Sequence, residues 1–290
     1  MPSLTAITNR LGNRACNQDR CTFITQAEKT LMIVADGMGG HARGELAAQI
    51  AVTRISQLFN QHTGSIDDPH AFLANAIQQA HQAIITAGQQ ESPPVDPRTV
   101  CVVCIVQNGH AWWAHVGDSR LYFLRFDQVV KRTRDHTPLE ALYANGKIDA
   151  KVFNTHPLRN SVNRCMGGND RQSPAISFDD SPLKSGDVLL LCSDGLWSAL
   201  PERQLFRLNT TRNLAATLDK LAMTAETQSY PNSDNISAVV MRWFPDTAVA
   251  EKTGLKKTKQ KQKAFTDDPL QSAIDEINQV MIDYADEMKK

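Results

Sequence analysis

The stretch VADGMGGHARGE, Val34 to Glu45, decides how this chain is read. Gly37, Gly39 and Ala42 satisfy the G-x-G-x-x-A spacing of a dinucleotide loop, yet Asp36 stands directly before them. A dinucleotide loop lays pyrophosphate on bare backbone amides at a helix N-terminus, where a carboxylate would repel it. Either the spacing is accidental or a cation stands between acid and phosphate. The downstream residues remove the nucleotide reading: helical periodicity runs over 43–61 and again over 70–87, so no second Rossmann strand brings an acid about 20 residues after the glycines.

Outward from that stretch, CTFIT, TLMIVAD, TVCVVCIVQN, AWWAHVGD, SRLYFLRF, DVLLLCSD and ISAVVMRW read as strands. They come in neighbouring pairs separated by turn residues, which favours antiparallel hairpins over βαβ alternation. The first helix places Leu46, Ile50, Ile55 and Leu58 on one face; the second repeats the pattern with Leu73, Ile77 and Ile84; a third is expected over 211–228. Residues 134–172 are polar, broken by Pro and Gly, and too long for a plain connection, which marks a functional or mobile insertion.

The chain has 290 residues, 41% of them hydrophobic, enough for a sizeable core. Its 31 Lys+Arg balance 31 Asp+Glu, so there is no global basic field of the kind nucleic-acid binders use, and any phosphate recognition must be local. The N-terminal stretch has no apolar signal region and no apolar run reaches a membrane span, so a soluble cytoplasmic protein without nucleic-acid or membrane partners is expected. The six cysteines then read as reduced thiols, with Cys101, Cys104 and Cys192 inside core strands. Cys101 and Cys104, three apart on a strand, point to opposite faces and make no zinc knuckle.

After residue 245 the composition changes. Residues 246–266 form a lysine-rich linker, with six lysines against one glutamate over 251–263. Residues 267–290 come next as an amphipathic helix, with Leu270, Ile274, Ile277, Met281, Tyr284 and Met288 on one stripe. That stripe needs a cover, either the body of the same chain, a partner or a second copy.

Four of the apolar runs end in, or are closely preceded by, an aspartate beside Gly, Ser or Asn: Asp36, Asp118, Asp194 and Asp234. A fifth, Asp19, closes the loop GNRACNQD. Any one of them is ordinary turn chemistry. Five at strand ends can meet at one edge, where two carboxylates at 4 Å repel by about 4 kcal/mol at an effective dielectric constant near 20. A hard divalent cation removes that penalty, and oxygen-only donors point to Mg²⁺ or Mn²⁺. Gly37, lacking a side chain, allows its carbonyl to face the metal. Two such ions would ionise a bridging water and hold phosphoryl oxygens for in-line attack, which is phosphoester hydrolysis. Arg14, five residues before Asp19, has the planar fork that suits two phosphate oxygens.

These residues resemble the bacterial form of the metal-dependent type 2C serine/threonine protein phosphatases. The matching elements are GNRACNQDR (12–20), VADGMGGHARGELAA (34–48), AHVGDSRLYFL (114–124), RDHTPLEAL with NGKI and HPLRNSVNRCMG (134–167), LLLCSDGLWSAL (190–200) and SDNISAVV (233–240). The resemblance implies an α+β, four-layer α/β/β/α sandwich with two central antiparallel sheets, formed by residues 1–245. It further implies that Asp36 bridges two core Mn²⁺ or Mg²⁺ ions and that the Gly37 carbonyl binds one of them. Asp194 and Asp234 would complete one core site, Asp19 would serve the other, and Asp118 would hold a third, weaker ion. Arg14 would bind phosphate, and 134–172 would be a mobile flap. Phosphoproteins as substrates and a cognate serine/threonine kinase as counterpart are implied as well.

Two departures stand out. Met38 replaces the histidine that some relatives carry as acid for the leaving group, leaving His41 as a substitute, and PRTV (97–100) replaces a Gly-Thr-Thr. Two rival readings exist: Cys165 to Arg171 has the C-x₅-R spacing of thiolate phosphatases, and a degenerate relative could serve as a phosphopeptide scaffold.

Overall fold

The computed structural model describes residues 3–245, apart from positions 28, 39–42, 150–151, 154–155, 157, 159–160 and 169–172. The expected linker, the C-terminal helix, His41 and Arg171 lie outside the described residues.

Among those residues, eleven strands form two antiparallel sheets. One runs in the order β1 (Ser3–Arg10), β11 (Ile236–Trp243), β10 (Val188–Cys192), β6 (Arg120–Arg125), β7 (Gln128–Arg132). The other runs β2 (Asp19–Thr25), β3 (Lys29–Gly37), β4 (Arg98–Gln107), β5 (His110–Val116), β9 (Ser177–Pro182), with β8 (Met166–Gly167) paired to β4. The helices are α1 (Gly44–Gln61), α2 (Pro69–Gln90), α3 (Pro138–Ala144), α4 (Asp194–Trp197), α5 (Arg207–Thr210) and α6 (Leu214–Ser229).

The layering follows from strands that are apolar on both faces. On β3, Leu31, Ile33 and Ala35 join a core with Ala47, Ala51 and Ile55 of α1 and Leu73, Ile77 and Ile84 of α2. The intervening Met32 and Val34 meet Phe123, Leu191 and Val239 of the opposite sheet. On β10 the alternation repeats: Leu189 and Leu191 face the seam between the sheets, while Val188, Leu190 and Cys192 pack with Leu214, Leu218 and Leu221 of α6. Three separate cores therefore divide four layers, helix, sheet, sheet, helix, as expected. Cys101 and Cys104 fall in different cores, and all six cysteines are free.

Helix starts are set by local chemistry. Asp68 accepts from the amide of Ala71 at 2.9 Å ahead of Pro69, and Asn213 caps α6 through the amide of Ala216 at 3.0 Å. The buried face of α1 differs from the expected one. It is Ala47, Ala48, Ala51, Val52, Ile55 and Phe59, while Ile50 and Leu58 are only partly buried at its margin. Small side chains let the helix lie close to the sheet and to α2, so the alanine stripe wins over the larger residues. The turn at Gly117–Ser119 is another difference: it closes no hairpin but carries the chain from β5 in one sheet to β6 in the other. Asp118 therefore stands at the seam. The polar insertion contributes α3, whose first turn is capped by Thr137 Oγ1 accepting from the amide of Glu140 at 3.1 Å. No helix among the described residues is long and apolar enough to cross a membrane.

Candidate active site

All five strand-end aspartates gather at one end of the sandwich. Asp19 opens β2 and stands directly opposite Asp36 in the β2–β3 register. Asp118 lies in the crossing between β5 and β6, Asp194 follows β10 as the first residue of α4, and Asp234 precedes β11. Asp36, Gly37, Asp118, Asp194 and Asp234 line a cavity of about 470 Å³ together with Arg14. Asp19 is not part of its wall; 1% exposed, it accepts a hydrogen bond from Ser193 Oγ at 2.7 Å.

Close packing of like charges dominates the electrostatics. Burial, followed by the negative charges of Asp19, Asp194, Asp118 and Asp234, holds the Asp36 carboxyl well above the ordinary carboxylate range. Burial and then Asp194 and Asp135 do the same to Asp118. Burial followed by Asp234 and Asp19 pushes Asp194 up to about 7. Asp19 rises to about 6, chiefly through burial and against the lowering effect of its Ser193 bond. Releasing these protons together costs the fold stability unless another positive charge enters.

Arg14 supplies one such charge at the rim: its Nη2 donates to Asp234 Oδ2 at 2.6 Å, with both side chains substantially exposed. The loop carrying Arg14 is tied down by Asn235, whose Nδ2 donates to the carbonyls of Leu11 (2.8 Å) and Cys16 (3.2 Å) and whose Oδ1 accepts from the Gln18 amide (2.8 Å). Thr99 Oγ1 donates to the Asp36 carbonyl at 2.7 Å and steadies the end of β3. Gly37 packs so closely on Gly44 and the Gln18 carbonyl that no side chain fits there. Sequence reading passed over Ser193 and Asn235, although each adjoins a predicted aspartate and carries a small polar group that can orient it.

Behind the cavity lining, Arg120 stacks over the Trp197 ring at 3.5 Å, and Trp197 Nε1 donates to the Asp118 carbonyl at 3.0 Å. These contacts join the Asp118 turn to the helix that begins with Asp194.

The donor chemistry fits hard divalent cations: four of the side chains lining the cavity are the carboxylates of Asp36, Asp118, Asp194 and Asp234, whose mutual repulsion a cation would relieve. Among the described residues no three His, Cys, Asp or Glu side chains close into a ready ligand set. The acids line the space without filling it, which suits an ion that retains several waters. Met38 also lines the cavity and offers no titratable proton. The thiolate alternative finds no support. Burial raises the Cys165 thiol above its ordinary value, and the strand β8 rather than a helix follows it.

Comparison with known proteins agrees with this geometry. A family model described as protein phosphatase 2C matches residues 8–236. The serine/threonine phosphatase stp of Listeria innocua is 30% identical over 238 residues, 81% of this chain and 93% of that protein. The solved serine/threonine phosphatase PstP/Ppp of Mycobacterium tuberculosis aligns with a TM-score of 0.71 at 27% identity, over 83% of this chain and 98% of that one. A structure of the PstP catalytic domain in complex with two manganese ions aligns with a TM-score of 0.67 at 26% identity, over 83% and 97% of the two chains. By its layered fold, its convergent aspartates and the extent of the match, this chain belongs to the protein phosphatase 2C family.

Proposed function

We propose that this phosphatase removes phosphate from phosphoserine and phosphothreonine in proteins, opposing a serine/threonine kinase, by direct attack of water and without a covalent enzyme intermediate. The observation that carries the reading is the meeting of five aspartates from separate segments beside one exposed arginine. Asp36, Asp194, Asp234, Asp19 and the Gly37 carbonyl would hold two Mn²⁺ or Mg²⁺ ions, and Asp118 a third. When bound, such ions lower the pKa of water and neutralise phosphoryl oxygens.

The chain's own residues do the rest. Arg14 exchanges its bond to Asp234 for two oxygens of the incoming phosphoryl group and aligns the ester. That exchange frees Asp234 Oδ2 as a ligand, while Oδ1 keeps its bond from the Asn235 amide at 2.8 Å. Ser193 holds the Asp19 carboxylate in one orientation, and Thr99 keeps the Asp36 backbone from shifting under it. As the water oxygen bonds to phosphorus, the bond from phosphorus to the serine or threonine oxygen breaks, and that oxygen takes up a proton. Met38 cannot supply that proton, and His41, the substitute read from the sequence, lies outside the described residues.

Within the same proposal, residues 1–245 are the catalytic domain with 134–172 as its flap, 246–266 the linker, and 267–290 a docking helix for a kinase or regulator. Phosphate release from phosphoserine, phosphothreonine and phosphotyrosine peptides, with and without Mn²⁺, tests the activity. Release from the first two that EDTA abolishes and iodoacetamide spares is expected; no turnover in any metal would leave a phosphopeptide-binding scaffold instead.

A further inference from the structure

The turn that presents Asp118 is held from outside the cavity by residues 133–136, the root of the polar insertion. Its downstream side is fixed twice. The Thr133 amide donates to the Leu121 carbonyl at 3.1 Å, and the Leu121 amide donates to Thr133 Oγ1 at 3.0 Å. Arg120 forks onto Asp135 at 2.8 and 2.6 Å, the side chains only 7% and 2% exposed. The upstream side is Gly117, which sits at φ +100° with Val100 occupying the place of a Cβ. It is gripped by His136 at both backbone groups: the His136 amide donates to the Gly117 carbonyl at 2.9 Å, and the Gly117 amide donates to His136 Nδ1 at 3.1 Å.

That second bond fixes the tautomer. With Nδ1 accepting, the proton is on Nε2, which donates to Ser177 Oγ on β9 at 2.8 Å. The ring stacks on His115 at 4.5 Å and 22°, and the residue is 8% exposed. The His136 carbonyl also accepts from the Asn163 amide at 3.0 Å. His136 does not line the 470 Å³ cavity, so it does not meet substrate.

We propose that His136 is a positioning residue for Asp118: by accepting from the Gly117 amide, its Nδ1 sets the turn from which the Asp118 carboxylate is presented to the cavity. The inference rests on the reading of Asp118 as a ligand of the weakest ion. Groups that orient a ligand without touching the metal are commonly worth about 10- to 100-fold in affinity.

The test uses the full chain, titrated with Mn²⁺ by calorimetry, with amide hydrogen exchange over 116–121 measured in parallel. An asparagine at this position places its amide oxygen near the Nδ1 position and keeps the Gly117 bond; a glutamine reaches only as far as Nε2 and loses it. H136Q and H136A should weaken the weakest Mn²⁺ class about 10-fold, leave the tighter ions unchanged and speed exchange at Gly117. H136N and S177A should behave as the unaltered protein. Should H136A fail to fold, H136N and H136Q still decide. An H136Q titration equal to that of the unaltered protein, or H136N as impaired as H136Q, overturns the positioning role. D118N separates the two levels: if D118N loses the weak class and H136Q does not, only the role of His136 falls. If D118N loses none, the ligand reading falls and takes this inference with it.

Discussion

Asp19→Asn should make the metal-free protein more stable while making the metal-bound protein less so. Asp19 is 1% exposed and its pKa rises from 3.8 to about 6 in the folded chain. A raised carboxylate pKa means the folded state holds the proton more tightly than the unfolded one. The associated stability is fully present below 3.8 and is lost as pH climbs through about 6. At pH 8 the ionised carboxylate therefore costs the fold about 3 kcal/mol, or about 1–3 once its titration is shared with Asp36. The substituted amide carries no charge and still accepts from Ser193 Oγ. In EDTA at pH 8 the variant should melt about 2–12 °C higher than the unaltered chain, at roughly 2–4 °C per kcal/mol for a domain of this size. Near pH 5 about half of the gain should remain, because the unaltered carboxylate is then largely protonated in the fold. Saturating Mn²⁺ should reverse the order, since only the intact cluster gains the full binding energy. Scanning fluorimetry over pH 5–8, with EDTA and with Mn²⁺, reads all of this. Equal melting temperatures in EDTA at pH 8, or a gain that grows as pH falls, would refute the claim that burial and mutual repulsion govern these acids.

Three other outcomes are expected. Asp36→Asn and Asp194→Asn should keep the circular dichroism of the fold and lose turnover by about 100-fold or more, and near-normal rates in either would remove the proposed centre. Arg14→Ala should raise KM for a phosphopeptide by about 10-fold, and Arg14→Lys should not restore it, because a point charge cannot replace the planar fork; steady-state kinetics on both decides. Gly12 sits at φ +63° with the Asp234 carbonyl where a Cβ would go. Gly12→Ala should thus cost about 1–3 kcal/mol in a denaturant melt and displace the Arg14 loop, lowering kcat/KM as well.

Most strands legible in the sequence have side chains buried on both faces, such as TLMIVAD and DVLLLCSD, whereas CTFIT of β2 showed through its β-branched and aromatic residues although it is only partly buried. β1 was not, because SLTAITNR buries only Ala6 and Thr8; the strand exists through its pairing with β11, from Ser3 opposite Trp243 to Arg10 opposite Ile236. β9, reading SFDDSP, is likewise an edge strand that its neighbour β5 defines. For the site, Asp-Gly and Asp-Asn at strand ends announced the acids, since turn residues mark where a sheet exposes its side chains. Their convergence was an inference from charge, whereas the parts that orient them were hidden. Ser193 reaches Asp19 across 174 positions of chain, and His136 sits in a polar segment with no periodicity to single it out.

Asp19 and Asp36 belong to one sheet, while Asp194 and Asp234 flank strands of the other and Asp118 spans the two. Ions bound among them would act as a clasp between halves that are otherwise joined by greasy contact, strand crossings and a few polar bonds such as Ser193 to Asp19. Chelation would then unzip the molecule from this end first, so that a protease given the stripped protein should nick the aspartate-bearing loops well before the helical layers loosen.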